Sequence, residues 1–167
     1  MKFSLTAASA ALSILMASGM AGAFFVFSCG VMPGLNAARP SSAINAMQTI
    51  NQKIQNPLFV GAFMLLPVLA VVAGVLLMSL GQKSAAILFF AAAAVYVVGA
   101  LVPSFAVNIP MNNDLDAVRI PSGTREAAEI WSDYSGRWTA WNTVRAVFSW
   151  ASLLLMGAGA YVWGKGA

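Results

Sequence analysis

Residues 58–107 read LFVGAFMLLPVLAVVAGVLLMSLGQKSAAILFFAAAAVYVVGALVPSFAV, and Lys83 is the only charged residue among them. Two charge-free runs, 58–80 and 85–107, flank a link of four residues. A helix of about 20 apolar residues is long enough to cross roughly 30 Å of hydrocarbon. Because a four-residue link can only turn the chain back on itself, these runs predict an antiparallel pair of transmembrane helices.

Two further apolar segments, at about 5–32 and 138–163, lie on either side of this pair. The last of them is expected to be helical from about Glu126. Of the 167 residues, 60% are hydrophobic and 8% are charged, whereas soluble domains carry roughly 25% charged residues. The sequence therefore predicts an all-α fold, a four-helix transmembrane bundle that forms one integral membrane domain over residues 1–167.

The first apolar segment has some features of a cleaved secretory signal. Lys2 precedes an apolar run that reaches Ala21-Gly22-Ala23, a sequence typical of a cleavage site. The run continues through Phe24–Phe27, however, and the whole is long enough to cross the membrane. We therefore expect a retained first helix.

The other two links, 33–57 and 108–130, are long and lie on the side of the membrane opposite the short link, here called side B. Both termini are predicted on the other side, side A. Side A is assigned to the cytoplasm because its lysines, Lys2, Lys83 and Lys165, lie directly beside the spans.

The first long link predicts an amphipathic helix between Pro40 and Pro57, with Ser41 or Ser42 as its N-cap. Its apolar positions recur at helical spacing: Ile44, Met47, Ile50 and Ile54. We expect it to lie in the interface or to fold over the open end of the bundle on side B, here called the mouth. A solvated loop helix is the alternative.

In the second long link, Pro110 and Pro121 argue against a continuous helix. The Asn108–Asp114 segment is expected to cross the mouth.

The composition excludes several kinds of site. The chain has no histidine and one cysteine, so histidine-ligated metal or haem sites and an intrachain disulfide are excluded within it. Cys29 is expected to be a buried small hydrophobic residue. Nine basic residues are spread singly and form no nucleic-acid patch. We expect no metal, no cofactor and no nucleic-acid partner.

Polar and aromatic side chains of the fourth helix recur at steps of three and four residues, so they are expected to share one face. They are Tyr134, Trp138, Trp141, Asn142 and Arg145. An interfacial aromatic belt with an anchoring arginine is one interpretation. The other is a binding site that also includes Asn56, Asn108, Asn112, Asn113 and Asp114. Asp114 or Asp116 is then the predicted charge partner of Arg145, in a pocket for a flat, largely apolar ligand bearing oxygens.

Three blocks carry a family resemblance: FSCGVMPGL at 27–35, AMQTINQKIQNPLF at 46–59, and NIPMNNDLDAV at 108–118 followed by Trp131, Tyr134 and RWTAWNTVRA at 137–146. In these the chain resembles the anthrone oxygenase-like family of small four-helix membrane proteins, formerly a domain of unknown function. The resemblance implies oxidation of an aromatic polyketide-like substrate by O₂.

On this hypothesis the reaction needs no cofactor. Arg145 and Asn142 stabilise an enolate oxygen, Trp138 or Trp141 stacks on the rings, and Asp114 accepts the proton.

The competing class is non-enzymatic. The chain is then an accessory subunit, or a quinone- or lipid-binding component, of a larger membrane complex. Small residues at Ala91–Ala94 and Gly157–Ala160 allow close packing of these helices on each other or on a partner helix. The expected partners are membrane lipid, an aromatic or quinone-like small molecule, and other membrane subunits.

Overall fold

The computed structural model describes residues 1–166, which form five helices and no strand. The helices are α1 (Lys2–Asn36), α2 (Pro40–Ile54), α3 (Pro57–Ser79), α4 (Lys83–Asp116) and α5 (Thr124–Gly166). All except α2 are long and apolar enough to cross a membrane. The protein is thus an all-α, multi-pass integral membrane protein, as the sequence predicted, and each predicted span falls on one helix.

The four long helices form a ring in the order α1, α3, α4, α5, in which each packs on its two neighbours. Gly81 makes the tight turn between α3 and α4 with a φ of +77°, which favours glycine. Beside this turn, the Gln82 Nε2 donates to the carbonyl of Gly166 at 2.9 Å. The Phe3 and Trp163 rings lie 5.1 Å apart. The start of α1, the short link and the end of α5 therefore lie together on side A.

The predicted small residues lie partly inside the bundle. Gly159 faces the Phe89 ring so closely that a Cβ there would lie 2.9 Å from it. The Ser152 hydroxyl donates to the carbonyl of Ala92 at 2.8 Å. Close packing between α4 and α5 thus uses one part of each small-residue segment, while Ala94 and Gly157 are exposed.

Two of the long helices contain π-helical turns, and each turn is followed by a proline at the same spacing. The turns are Phe27–Val31, Val97–Leu101 and Ser104–Asn108, and the prolines are Pro33, Pro103 and Pro110. A proline ring clashes with the carbonyl four residues earlier, which here is at the centre of the π-helical turn. The wider turn moves that carbonyl away, so the helix continues past the proline.

This geometry corrects two predictions. The segment after Asn108 continues as helix to Asp116, so Pro110 does not end α4. Cys29, expected to be buried, lies in the first π-helical turn and is exposed.

The helices extend beyond the hydrocarbon on side B. With 43 residues, α5 is about 65 Å long, roughly twice the thickness of the hydrocarbon core. An apolar cluster lies here, separate from the core of the bundle, and includes Met32, Ile44, Met47, Leu115 and Trp131. It is enclosed by the first turns of α5, the ends of α1 and α4, and α2. Side B thus carries a small folded cap, and α2 is part of it.

The amphipathic helix α2 packs on the ends of α1 and α4 and on α5. Its predicted cap is wrong: α2 begins at Pro40, and neither Ser41 nor Ser42 caps it. Proline is favoured at the first helical position because its missing N–H would have no partner there. The Gln48 amide donates to the carbonyls of Leu115 and Val118, each at 2.9 Å. This side chain fastens α2 to the end of α4.

Candidate functional site

Arg145 lies inside the side B half of the bundle with 8% of its surface exposed. Its Nη2 donates to Asn142 Oδ1 at 2.8 Å, and its Nη1 donates to Ser104 Oγ at 3.1 Å. The guanidinium carbon lies 4.5 Å from the Phe24 ring centroid and 5.3 Å from that of Trp138. Two hydrogen bonds and two aromatic rings therefore hold the guanidinium group in place.

No carboxylate in the described part of the chain pairs with this guanidinium. The one ion pair among residues 1–166 joins Arg125 to Glu129 on the exposed start of α5. The Nε–H of Arg145 also has no hydrogen-bond partner in the described part of the chain. Arginine keeps its charge in proteins, and a buried charge without a partner is costly. An anionic oxygen placed beside Arg145 would relieve that cost.

Asn142 is fully buried, and its amide is fully used. Its Nδ2 donates to the Phe24 carbonyl and to Ser28 Oγ, both at 2.7 Å, while its Oδ1 accepts from Arg145. The Arg145 N–H groups are donors, so the Asn142 Oδ1 must face them. With the amide flipped, the Asn142 Nδ2 would place a second donor against them. Asn142 thus positions the guanidinium and has no free N–H for a ligand.

Sequence analysis missed Ser104 and Phe24 as parts of this site. The Ser104 hydroxyl donates to the Ala100 carbonyl at 2.7 Å, so its oxygen lone pairs are left to accept from Arg145. Ser104 begins the second π-helical turn of α4. A serine in an otherwise apolar span was the available signal, whereas nothing in the sequence marked Phe24.

A cavity of about 430 Å³ opens beside Arg145, within the range of roughly 300–1,000 Å³ typical of small-molecule sites. All five helices contribute to its walls, which are mostly apolar. Its polar lining consists of Asn51, Gln55, Ser104, Asn112, Asn113, Asn142 and Arg145. Asn51 belongs to α2, which covers the cavity from side B, and Gln55 directly follows the end of that helix.

Five of the predicted site residues line this cavity: Arg145, Asn142, Trp138, Asn112 and Asn113. Two others lie just behind it. The Tyr134 hydroxyl and the Trp138 indole N–H donate to the same Asn112 oxygen, at 2.9 and 2.7 Å. The buried Asn108 donates to the Trp138 carbonyl at 3.2 Å. These bonds fix the aromatic wall of the cavity against α4.

Three predicted site residues lie away from the cavity. Asn56 is exposed and caps α3, where its Oδ1 accepts from the backbone N–H of Phe59 at 3.0 Å. Trp141 is 37% exposed and lies outside the lining. Asp114 is exposed and lines a separate depression with Asp133 and Arg137.

The predicted ion pair of Arg145 with Asp114 or Asp116 is not formed. Asp116 lies twelve residues, or about 18 Å along α4, beyond the Ser104 that contacts Arg145. For Asp114 the reason is also the helical continuation of α4, because residues two apart on a helix point in nearly opposite directions. With Asn112 turned toward the cavity, Asp114 is turned away from it.

The aromatic residues on the inward face of α5 are not the ones predicted, because Trp131 is included and Trp141 is not. Trp131 is 6% exposed, and its indole N–H donates to Asn36 Oδ1 at 2.9 Å. It shares the buried face with Tyr134 and Trp138, whereas Trp141 lies at the edge of that face. The bond between Trp131 and Asn36 ties α5 to the end of α1 and closes that side of the cap.

Fold and site together define a class of protein: a four-span membrane bundle with a capped, largely apolar cavity beside a buried arginine that has no counter-ion among residues 1–166. A family model described as anthrone oxygenase matches residues 52–155, more than half of the chain. The chain belongs to the anthrone oxygenase family, which confirms the resemblance seen in the sequence. Searches of curated proteins and of solved structures gave no match.

Proposed function

We propose that the protein oxidises an anthrone-like aromatic substrate with O₂ in the cavity beside Arg145. The observation that carries the proposal is the buried guanidinium, which has no carboxylate partner and lies between the Phe24 and Trp138 rings. Such a site favours a flat apolar molecule that develops negative charge on one oxygen. An anthrone that loses a proton from its methylene carbon becomes such an enolate.

The reaction balances with O₂ as the only oxidant. The methylene carbon of the enolate gives up electrons to O₂ and forms a C–O bond. Loss of water then leaves a second ring carbonyl. One oxygen atom of O₂ enters the quinone, and the other departs as water with the two methylene hydrogens. Arg145 contributes by stabilising the enolate, the electron-rich form that reacts with O₂.

The cavity contains no carboxylate among its described lining residues, so the proposal assigns no general base to this chain. Stabilising the enolate lowers the pKa of the substrate methylene, and solvent can then accept the proton. Trp138 stacks on the rings, and Asn142 holds Arg145 in place. The catalytic role expected for Asp114 is not carried into the proposal, because Asp114 lies outside the cavity.

The test uses the full chain in lipid nanodiscs with emodin anthrone, monitored by quinone absorbance and O₂ consumption. We expect faster oxidation than in empty nanodiscs. Removing one oxyanion donor costs about 10²–10³ in rate, so the Arg145→Met variant should lose most of the acceleration. The Arg137→Met variant is the matched control, since Arg137 is an exposed arginine on the same helix. Equal rates with and without the protein would contradict oxidation of this substrate.

Binding without turnover is the second candidate. The absence of a carboxylate from the described lining favours it, because a binding site needs no proton acceptor. The protein would then hold a quinone or lipid as a component of a larger membrane complex, with Arg145 directed at a carbonyl or headgroup oxygen. Affinity for emodin without acceleration of anthrone oxidation, together with stoichiometric co-purification of other membrane subunits, would favour this function.

The orientation proposed here places side A in the cytoplasm, and the lysines beside the spans on that side support it. The cavity would then lie near the opposite face of the membrane. Reporter domains fused to Gly166 and inserted after Gly123, in the link between α4 and α5, would test it. Cytoplasmic activity of the second fusion with none from the first would reverse the assignment.

A further inference from the structure

The side of the cavity between α3 and α4 is open. Near the short link the two helices pack closely, and the Tyr96 hydroxyl still donates to the Phe63 carbonyl at 3.3 Å. Beyond Tyr96, α4 remains packed on α5 but parts from α3. The Phe63 and Phe105 rings, with centroids 6.3 Å apart, bridge the gap.

Several cavity-lining residues on these two helices are also exposed on the outer surface of the bundle. Val60 and Met64 on α3 are 44% and 42% exposed, and Phe105 and Ile109 on α4 are 55% and 36% exposed. On α5, by contrast, the lining residues Trp138, Asn142 and Arg145 are all buried. The cavity therefore reaches the outer surface between α3 and α4.

The rim of this opening is mostly apolar. Val60 and Met64 lie within the first turns of a helix that has no charged residue over 58–80. The exposed lining residues Val60, Met64, Phe105 and Ile109 are apolar, and the polar lining residues Gln55 and Asn113 are exposed at the side B end of the cavity. On side B the cavity is covered by Ile50, Asn51 and Ile54 of α2, a helix that Gln48 fastens to the end of α4. The apolar part of the opening lies sideways, between the two membrane-spanning helices α3 and α4.

We propose that the ligand of this cavity is a membrane-dissolved apolar molecule that passes laterally between α3 and α4, with Phe63 and Phe105 as the gate. The proposal deepens the proposed function, because it specifies a substrate drawn from the bilayer rather than from water. It rests on the cavity and its walls, so it also holds if the ligand is bound without being oxidised.

The test labels a thiol on the far wall of the cavity. Phe27 of α1 is half-buried and packs against Trp138 of α5, with ring centroids 5.7 Å apart, across the ring of helices from the opening. A Phe27→Cys variant in a Cys29→Ser background is labelled in nanodiscs. One reagent is a bilayer-dissolved pyrene maleimide, and the other is a charged, membrane-impermeant methanethiosulfonate.

We expect the bilayer-dissolved reagent to label the thiol, and Val60→Trp combined with Ile109→Trp to slow this labelling several-fold by filling the rim. The matched control combines Val68→Trp with Val102→Trp, two exposed positions on the same helices outside the cavity, and should leave the rate unchanged. Labelling that is unaffected by the rim substitutions, or that is as fast with the charged reagent, would overturn the proposal.

A second measurement uses the unsubstituted chain. An anthraquinone linked to a phospholipid acyl chain cannot leave the bilayer, and we expect it to compete with free anthraquinone for the cavity. Free anthraquinone that binds while the tethered form does not would indicate access from water and overturn lateral passage. Neither probe reports oxidation, so failure of the proposed reaction would leave these results interpretable.

Discussion

Arg145 and Asn142, one turn apart on α5, are joined by a hydrogen bond of 2.8 Å from Nη2 to Oδ1. Asn142 is in turn held by the Phe24 carbonyl of α1 at 2.7 Å. Through Asn142, α1 thus fixes the position of a guanidinium that α5 carries. A charge-bearing group positioned before the ligand arrives needs little reorganisation when negative charge develops on that ligand.

Replacing Arg145 by methionine should weaken ligand binding without lowering the thermal stability of the protein. The buried guanidinium has no counter-ion, so an apolar side chain of similar length removes a desolvated charge, and we expect an unchanged or higher Tm. Affinity for anionic aromatic ligands should fall sharply. Thermal unfolding and ligand titration in the same nanodiscs check both expectations. A large fall in Tm with ligand affinity intact would show that Arg145 is a structural anchor.

The Asn142→Asp substitution should place a carboxylate where the amide oxygen now accepts from Arg145. The new ion pair satisfies the guanidinium, and the ligand anion then competes with an internal one. We expect weaker binding of anionic ligands, with some loss of stability because the second carboxylate oxygen faces the Phe24 carbonyl to which Nδ2 now donates. Asn142→Leu leaves the Nη2 donor of Arg145 without its acceptor and should cost about 1–3 kcal/mol of stability without an internal anion to compete. Ligand titration with circular dichroism distinguishes the two variants. Unchanged anion binding by the Asn142→Asp variant would contradict the role assigned to Arg145.

The Asp114→Asn substitution should leave oxidation and binding unchanged within error. Asp114 is exposed and lies outside the cavity lining, so it has no contact with a ligand beside Arg145. Steady-state rates on emodin anthrone across pH 5–9 check this. A strong loss of rate, or a shifted pH profile, would restore Asp114 as the proton acceptor and require α4 to move on ligand binding.

The Gly99→Ala substitution should disrupt the packing of α4 on α5. A Cβ at this position would overlap the Phe148 side chain, so one helix must shift. We expect a marked fall in Tm and partial rescue by Phe148→Ala in the same chain. Gly30→Ala is the control, because Gly30 also lies in a π-helical turn but has open space around it. Equal Tm values for the Gly99 and Gly30 variants would contradict this packing.

The α-helical class and the number of spans followed from local composition. Two charge-free runs joined by Gly81–Ser84 have few alternatives in a membrane, because every backbone polar group must be satisfied within the segment. The inward face of α5 was also readable, since Trp138, Asn142 and Arg145 recur at helical spacing. These properties depend on residues close together in the chain.

The partners of Arg145 were not readable in this way. Ser104 and Phe24 belong to other helices and are distant from Arg145 in the chain. The π-helical turns of α4 carry it as helix past Pro103 to Ser104, and then past Pro110. The same turns direct Asp114 away from the cavity, where proline spacing alone had suggested a lid. Short-range patterns thus established a membrane bundle with a charged face on its last helix. Contacts between distant segments placed that charge beside a cavity and away from the carboxylates of the described residues. The direction in which side chains point after each proline depends on how the helices pack, so the local sequence could not predict it.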